Sequence, residues 1–109
     1  MTLRKYRWSR DYESAEEELV NLLAHKHIRA VRWVADEYQE FPSVATPNDK
    51  RLWCVEGSIM YSIDGKDITL QAGDALDIPS STAHYGVAGF SGCVCYESTS
   101  ATINQQHHA

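Results

Sequence analysis

The sequence predicts an all-β chain, closed into a small barrel or sandwich, with one helix near its N-terminus. Three observations predict it. Short stretches rich in β-branched and aromatic residues recur from Leu52 to Val87, the composition that suits a pleated surface. Turn signals at Gly57, Asp64-Gly65, Ala72-Gly73-Asp74 and Pro79-Ser80-Ser81 separate them, too closely for crossover helices and a parallel sheet. Apolar residues at helical spacing form one stripe, Ala15, Leu19, Leu22 and Leu23, so a single amphipathic helix is expected.

Each element follows from its residues. Leu3 to Trp8 alternates and reads as an edge strand, with Tyr6 and Trp8 facing in and its charges discouraging further pairing. Ser9 to His25 reads as the helix. Ser9 or Asp11 caps it, Ser14 and Glu17 have capping-box spacing, and Glu13, Glu16, Glu17 and Glu18 lie where the helix dipole favours negative charge. Its stripe is expected on the outside of the barrel. Ile28 to Ala35 is apolar on both faces and reads as a strand covered on both sides. Asp36 to Pro42 leads toward a barrel mouth, and Ser43 to Asp49 reads as a loop placed to act as a flap over it. Leu52 to Val55 and Ser58 to Ile63 are strand halves on either side of Gly57, which marks a bulge or bend. Asp64-Gly65 is a hairpin turn, and Lys66 to Leu70 returns from it with Ile68 and Leu70 on one face. Ala75 to Ile78 is a short strand and His84 to Val87 begins another. Gly86 to Gly92 reads as a loop around Phe90, and Cys93 to Glu97 as the last strand. Beyond it the chain is polar and ends in Gln105-Gln106-His107-His108, a frayed tail. The whole reads as one domain: strand and helix over 1–27, barrel over 28–98, tail over 99–109.

Composition narrows the function classes. The chain has 109 residues and 43% hydrophobic content, enough for one modest core. Its net charge of −5 speaks against a nucleic-acid partner, which would need a basic patch. No apolar run has the length of a membrane span. Arg4, Lys5, Arg7 and Arg10 precede no apolar segment, so they are not a secretory signal. Three cysteines without such a signal point to a reducing compartment, and the cytoplasm is the expected address.

Trp53-Cys54-Val55-Glu56-Gly57, then Asp64-Gly65, Gly73-Asp74, Ile78-Pro79 and His84 together resemble the cupin family, over Val31 to Glu97. The resemblance implies a cupin barrel, the double-stranded β-helix or jelly-roll type, and a homodimer. It also implies a degenerate metal motif. With Gly57 as the glycine of the first motif, the family's glutamate ligand falls on Lys50. Its two histidines fall on Val44 and Thr46, or on Ser43 and Ala45. The second motif keeps its histidine as His84, but its second glycine is Ser81 and its closing asparagine is Ala88. A divalent metal normally needs three or more protein ligands. No cofactor is therefore expected, and a divalent transition metal is disfavoured. Lys50 repels a metal ion and offers only donors; it pairs with an anionic group of a ligand or is a solvated loop lysine.

His84 is the one candidate catalytic residue, as general base or as a hydrogen-bonding partner of a ligand. The alternative for it is an inherited structural hydrogen bond. Glu56 and Asp77 are candidate orienting carboxylates. The ligand-binding set is His84, Lys50, Cys54, Glu56, Tyr38, Trp53 and Met60, with no residue assigned to a metal. Residues of one parity on a strand share a face, so Lys50, Leu52, Cys54 and Glu56 are expected toward the cavity. Cys93 and Cys95 share a face as well, and could meet Cys54 and His84; core packing is the simpler reading of the thiols. His25 and His27 stand about 200° apart on a helix end, poor geometry for shared ligation. Two functions stand open: a small-molecule binder without metal, and a cupin enzyme (isomerase, lyase or dioxygenase) that uses His84 with non-standard ligands or a carboxylate. A third class is an interaction module using the basic N-terminal strand.

Overall fold

The computed structural model describes residues 1–11 and 13–99. Seven strands and one helix follow in the order β1 (Arg4–Arg7), α1 (Ala15–His25), β2 (Val31–Ala35), β3 (Glu40–Val44), β4 (Lys50–Ile63), β5 (Lys66–Gln71), β6 (Asp74–Ile78) and β7 (His84–Thr99). All pairings are antiparallel, and β4 and β7 organise them. They pair with each other from Lys50↔Thr99 to Ser62↔Tyr85. The first half of β4 also pairs with β6, which carries β1 at its edge, and its second half pairs with β5. β7 likewise pairs with β3 through its first half and β2 through its second. Each long strand thus serves two sheets, β1-β6-β4-β7-β2 and β5-β4-β7-β3, and bends from one to the other.

The bends are where sequence chemistry is most constrained. The β4–β7 register shifts between Cys54 and Glu56, and again between Gly57 and Ile59. At the second shift Ser58 alone lies opposite the four residues Gly89–Gly92. Such bulges let a strand turn a corner between sheets. Gly57 and Gly92 both have positive φ, 71° and 72°. A Cβ on Gly57 would fall on the Gly92 carbonyl oxygen, and one on Gly92 on the Ala35 carbonyl oxygen. The bulges also invert parity. Leu52 and Cys54 face the interior before the corner, and Ile59, Tyr61 and Ile63 after it.

Two cores result. Inside the barrel, Leu52, Cys54, Ile59, Tyr61, Leu70, Leu76, Ile78, Cys93 and Cys95 pack together. Outside, Leu19 and Leu23 of α1 pack on Trp53, Val55, Ala75 and Val94, with Tyr6 and Trp8 beside them. An 11-residue helix is too short to persist alone; burial of its two leucines, about 1.5–3 kcal/mol each, holds it on the sheet. No helix among the described residues is long and apolar enough to cross a membrane.

Several expectations need correction. The helix starts at Ala15, not Ser9, and Ser14 makes no side-chain cap bond. Asp11 instead organises the preceding turn, accepting bonds from the backbone N–H groups of Glu13 and Ser14 and from the Ser14 hydroxyl. Tyr6 and Trp8 face the helix layer, not the barrel interior. Strand β2 is shorter than Ile28–Ala35 and is not covered on both sides, since Val31 and Val34 are exposed. Residues 40–44, expected as the end of one connection and the start of a loop, form β3, where Pro42 is tolerated because β3 pairs on one side only. Gly86–Gly92 is no free loop but part of β7. Gly86 lies against the Tyr61 ring and Gly89 against the Ser58 hydroxyl, each too close for a Cβ. Ser98 and Thr99 end β7, so the expected tail otherwise lies outside the described residues.

The corner yields a prediction. Gly57→Ala combines strained φ with a backbone clash and should cost about 1–3 kcal/mol or more, read as a lower urea midpoint at unchanged slope. Ser81 has φ 61° at the position where the cupin resemblance places a glycine. Ser81→Gly should therefore raise stability, by about 0.5–1 kcal/mol once the greater freedom of glycine in the unfolded chain is subtracted.

Candidate functional site

Because β4 and β7 begin and end at the same rim, their terminal residues converge there. Lys50 opens β4, His84 opens β7, and Glu97 is one inward-facing step beyond Cys93 and Cys95 near the end of β7. All three line a cavity of about 320 Å³. Its remaining walls are Trp33 of β2, Phe41, Pro42 and Val44 of β3, and Tyr61 of β4. The Trp33 and Phe41 rings pack at 5.2 Å between centroids, tilted by 60°. The cavity is thus apolar and largely aromatic with one polar end. The loop over 45–49, expected as a flap, is tied down: Ser81 N–H donates to the Thr46 carbonyl at 2.7 Å, and Ser80 N–H to the Asp49 carboxylate at 2.8 Å.

The polar end is organised by one imidazole. His84 is buried, at 4% exposure. Its Nδ1–H donates to the Thr82 carbonyl at 3.0 Å, which leaves Nε2 to accept from Lys50 Nζ at 3.1 Å. This tautomer is assigned from the partners. Lys50 Nζ also lies 3.7 Å from a Glu97 carboxylate oxygen. Burial pushes the His84 pKa below its ordinary value, and the Lys50 charge adds to the effect. The Thr82 carbonyl and Glu97 act the other way. His84 is therefore a neutral acceptor at neutral pH. The Tyr61 ring is 6.0 Å from it between centroids, and burial pushes the Tyr61 phenol far above its usual range, with Cys95 and Glu97 contributing.

The other expected site residues lie elsewhere. Cys54 is fully buried, and its thiol donates toward the Glu56 and Gly57 carbonyls. It stands opposite Cys95, whose sulfur is 3.9 Å from that of Cys93. The three thiols meet in the core, as parity suggested, but the contacts of His84 are Lys50, Thr82 and Tyr61. Glu56 is exposed, because the bulge after Cys54 reverses the alternation that was extended to it. Trp53 packs under α1. Met60 occupies the strand face opposite Ile59 and Tyr61, outside the cavity lining. Tyr38 is 65% exposed in a turn. Asp77 faces away from His84 and is held by Arg51 at 2.6 and 3.1 Å, with Arg4 nearby. Sequence reasoning missed Glu97, Trp33, Tyr61 and Pro42. The parity that joined Cys93 and Cys95, extended by two residues, points to Glu97.

No family model matches the sequence, and no curated protein matches it. Solved structures do. The chain is similar to an RmlC-like cupin from Shewanella frigidimarina, at 26% identity over 64% of this chain and 63% of that one, with a TM-score of 0.58. The chain has the cupin fold and belongs to that superfamily. A DUF861 family protein from Thermotoga maritima matches at 14% identity over 90% of this chain and 99% of that one, with a TM-score of 0.61. KdgF from a Halomonas species matches at 24% identity over 64% and 66%, with a TM-score of 0.58. The chain therefore spans less than two thirds of the Shewanella cupin and of KdgF.

Within this cupin, Val44 and Lys50 line the cavity beside His84, at positions where the resemblance places ligands. A divalent ion there would need three or more donors from these walls. Only His84 and Glu97 at the polar end are ligating types, and the available imidazole nitrogen faces an ammonium. Among the described residues no group of three or more His, Cys, Asp or Glu could hold a metal. The residues do not fit the group.

A pH prediction follows. A buried histidine with a depressed pKa favours the folded state fully above its unfolded value, 6.5, and that contribution is lost as pH falls from there through the folded value. Stability should therefore fall on acidification below pH 6.5, and the decline should be smaller in His84→Gln. By NMR, His84 should titrate below the ordinary range in the wild type and move upward in Lys50→Met.

Proposed function

We propose that this cupin binds a small organic molecule in the cavity bounded by Trp33, Phe41, Tyr61, Lys50, His84 and Glu97, without a catalytic metal. The observation that carries this reading is the Lys50–His84 contact. It presents ammonium donors, not an open coordination position, to an apolar, aromatic-walled space. Pockets of about 300–1,000 Å³ with a few convergent polar groups are the usual form of small-molecule sites. In solution, a fragment screen should shift the Trp33 indole and His84 ring resonances. Lys50→Met should weaken the best fragment by about tenfold, the size of one hydrogen bond to a charged group. Chelator treatment should leave binding unchanged. Stoichiometric zinc, nickel or manganese that persists through purification without a tag and is lost in His84→Ala would overturn the metal-free reading.

A second reading is an isomerase or lyase. It is favoured by the same contact, since a neutral imidazole acceptor beside a lysine donor is an acid–base pair able to move a proton on a bound carbonyl compound. Exchange of substrate protons with deuterated solvent, abolished in His84→Gln, separates it from simple binding. A homodimer, implied by the resemblance, and a cytoplasmic location, expected from the sequence, belong to this proposal too; light scattering of the purified chain reads the first.

A further inference from the structure

We propose, resting on the binding reading, that the cavity selects an uncharged ligand with a flat apolar body and one polar group that offers an acceptor to Lys50 and a donor to Glu97. The charges at the polar end explain why. Lys50 is the cation and Glu97 the anion, 3.7 Å apart, and both line the cavity. An ammonium has three donors, and one of Lys50's goes to His84 Nε2. The separation from Glu97 exceeds a good hydrogen bond, so the pair is associated but its hydrogen-bonding capacity is unspent. Among the described residues the Glu97 carboxylate accepts no hydrogen bond, and its side chain is only 31% exposed. The site therefore presents a donor and an acceptor side by side.

A carboxylate placed on Lys50 would lie against Glu97, and an ammonium placed on Glu97 would lie against Lys50. Either monovalent ligand meets a like charge in a partly desolvated site, where such repulsion is strong. An uncharged group with a carbonyl oxygen and an N–H or O–H on neighbouring atoms, such as a primary amide, bridges the pair without separating it. Size and walls set the rest of the molecule. At about 30 Å³ per small-molecule atom group, the share a water occupies in the liquid, the cavity holds on the order of ten non-hydrogen atoms. The rings of Trp33, Phe41 and Tyr61 favour an aromatic or other planar body.

The test is a charge series of one shape, benzamide, benzoate and benzylammonium, titrated at pH 7.5 into the full chain. Affinity is read on the Trp33 indole and His84 ring resonances. Benzamide is expected to bind at least fivefold more tightly than either ion. Glu97→Gln should raise benzoate to or above benzamide, and Lys50→Met should do the same for benzylammonium. Both substitutions are close in volume, and the amide spectrum reports whether each variant keeps its fold; the wild-type order stands as a test without them. Benzoate or benzylammonium binding more tightly than benzamide in the wild type overturns the inference but leaves the binding reading intact. So does an order that folded variants do not change. If none of the three moves either resonance, while the unbiased fragment screen does find ligands, the inference alone fails. If the screen finds none, the binding reading fails with it.

Discussion

The approach of the Gly57 and Gly92 backbones is the constraint on which the architecture depends. Two long antiparallel strands can serve two sheets only if both bend at the same level. The bend brings a peptide carbonyl to the place a side chain would occupy on Gly57. Glycine at positive φ resolves both problems at once, since it has no Cβ to clash and no steric penalty in that region. The extra residues at the corner then break the alternation, so residues of opposite parity face the interior on either side. Without that inversion one half of β4 would turn its apolar face to solvent.

The same bend makes the site. Because β4 and β7 run side by side for their whole length, the beginning of one meets the end of the other at a single rim. Lys50 and Glu97 are brought together there, and His84 arrives from the opposite end of β7 after the corner has folded that strand back over the interior. A lysine so placed donates to an imidazole at 3.1 Å and lies 3.7 Å from a carboxylate, an ion pair with no hydrogen bond between them. Burial favours neutral His84, and its bond to Thr82 fixes which nitrogen faces the ammonium. The ligand pattern that the resemblance implies would put a cation among carboxylate and imidazoles. Here the cation is covalently part of the chain.

Much of this was readable beforehand where chemistry is local. Asp64-Gly65 forms its hairpin with both residues at positive φ, 51° and 75°. Ala15, Leu19 and Leu23 bury the stripe their spacing describes. Lys50 stands beside His84, as the spacing of glycines in the resemblance required. Failures cluster at the corner and the edges. Alternation alone puts Glu56 inward, and the bulge reverses it; Gly86–Gly92 reads as a loop because glycines for turning and glycines for close approach look alike in a sequence. Val31 and Val34 are apolar yet exposed, because apolar composition does not say whether a neighbour exists.

Turn chemistry and helix amphipathicity were determined by residue identity and short-range spacing, because each acts within a few residues along the chain; a lysine where the resemblance places an acid is likewise visible in the sequence. The partnership of Lys50, His84 and Glu97, the aromatic walls from Trp33 and Phe41, and the exclusion of Trp53 and Glu56 from the cavity were decided by tertiary structure. They depend on how many residues two bulged strands set opposite one another across the corner, and that count exists only after the strands have paired.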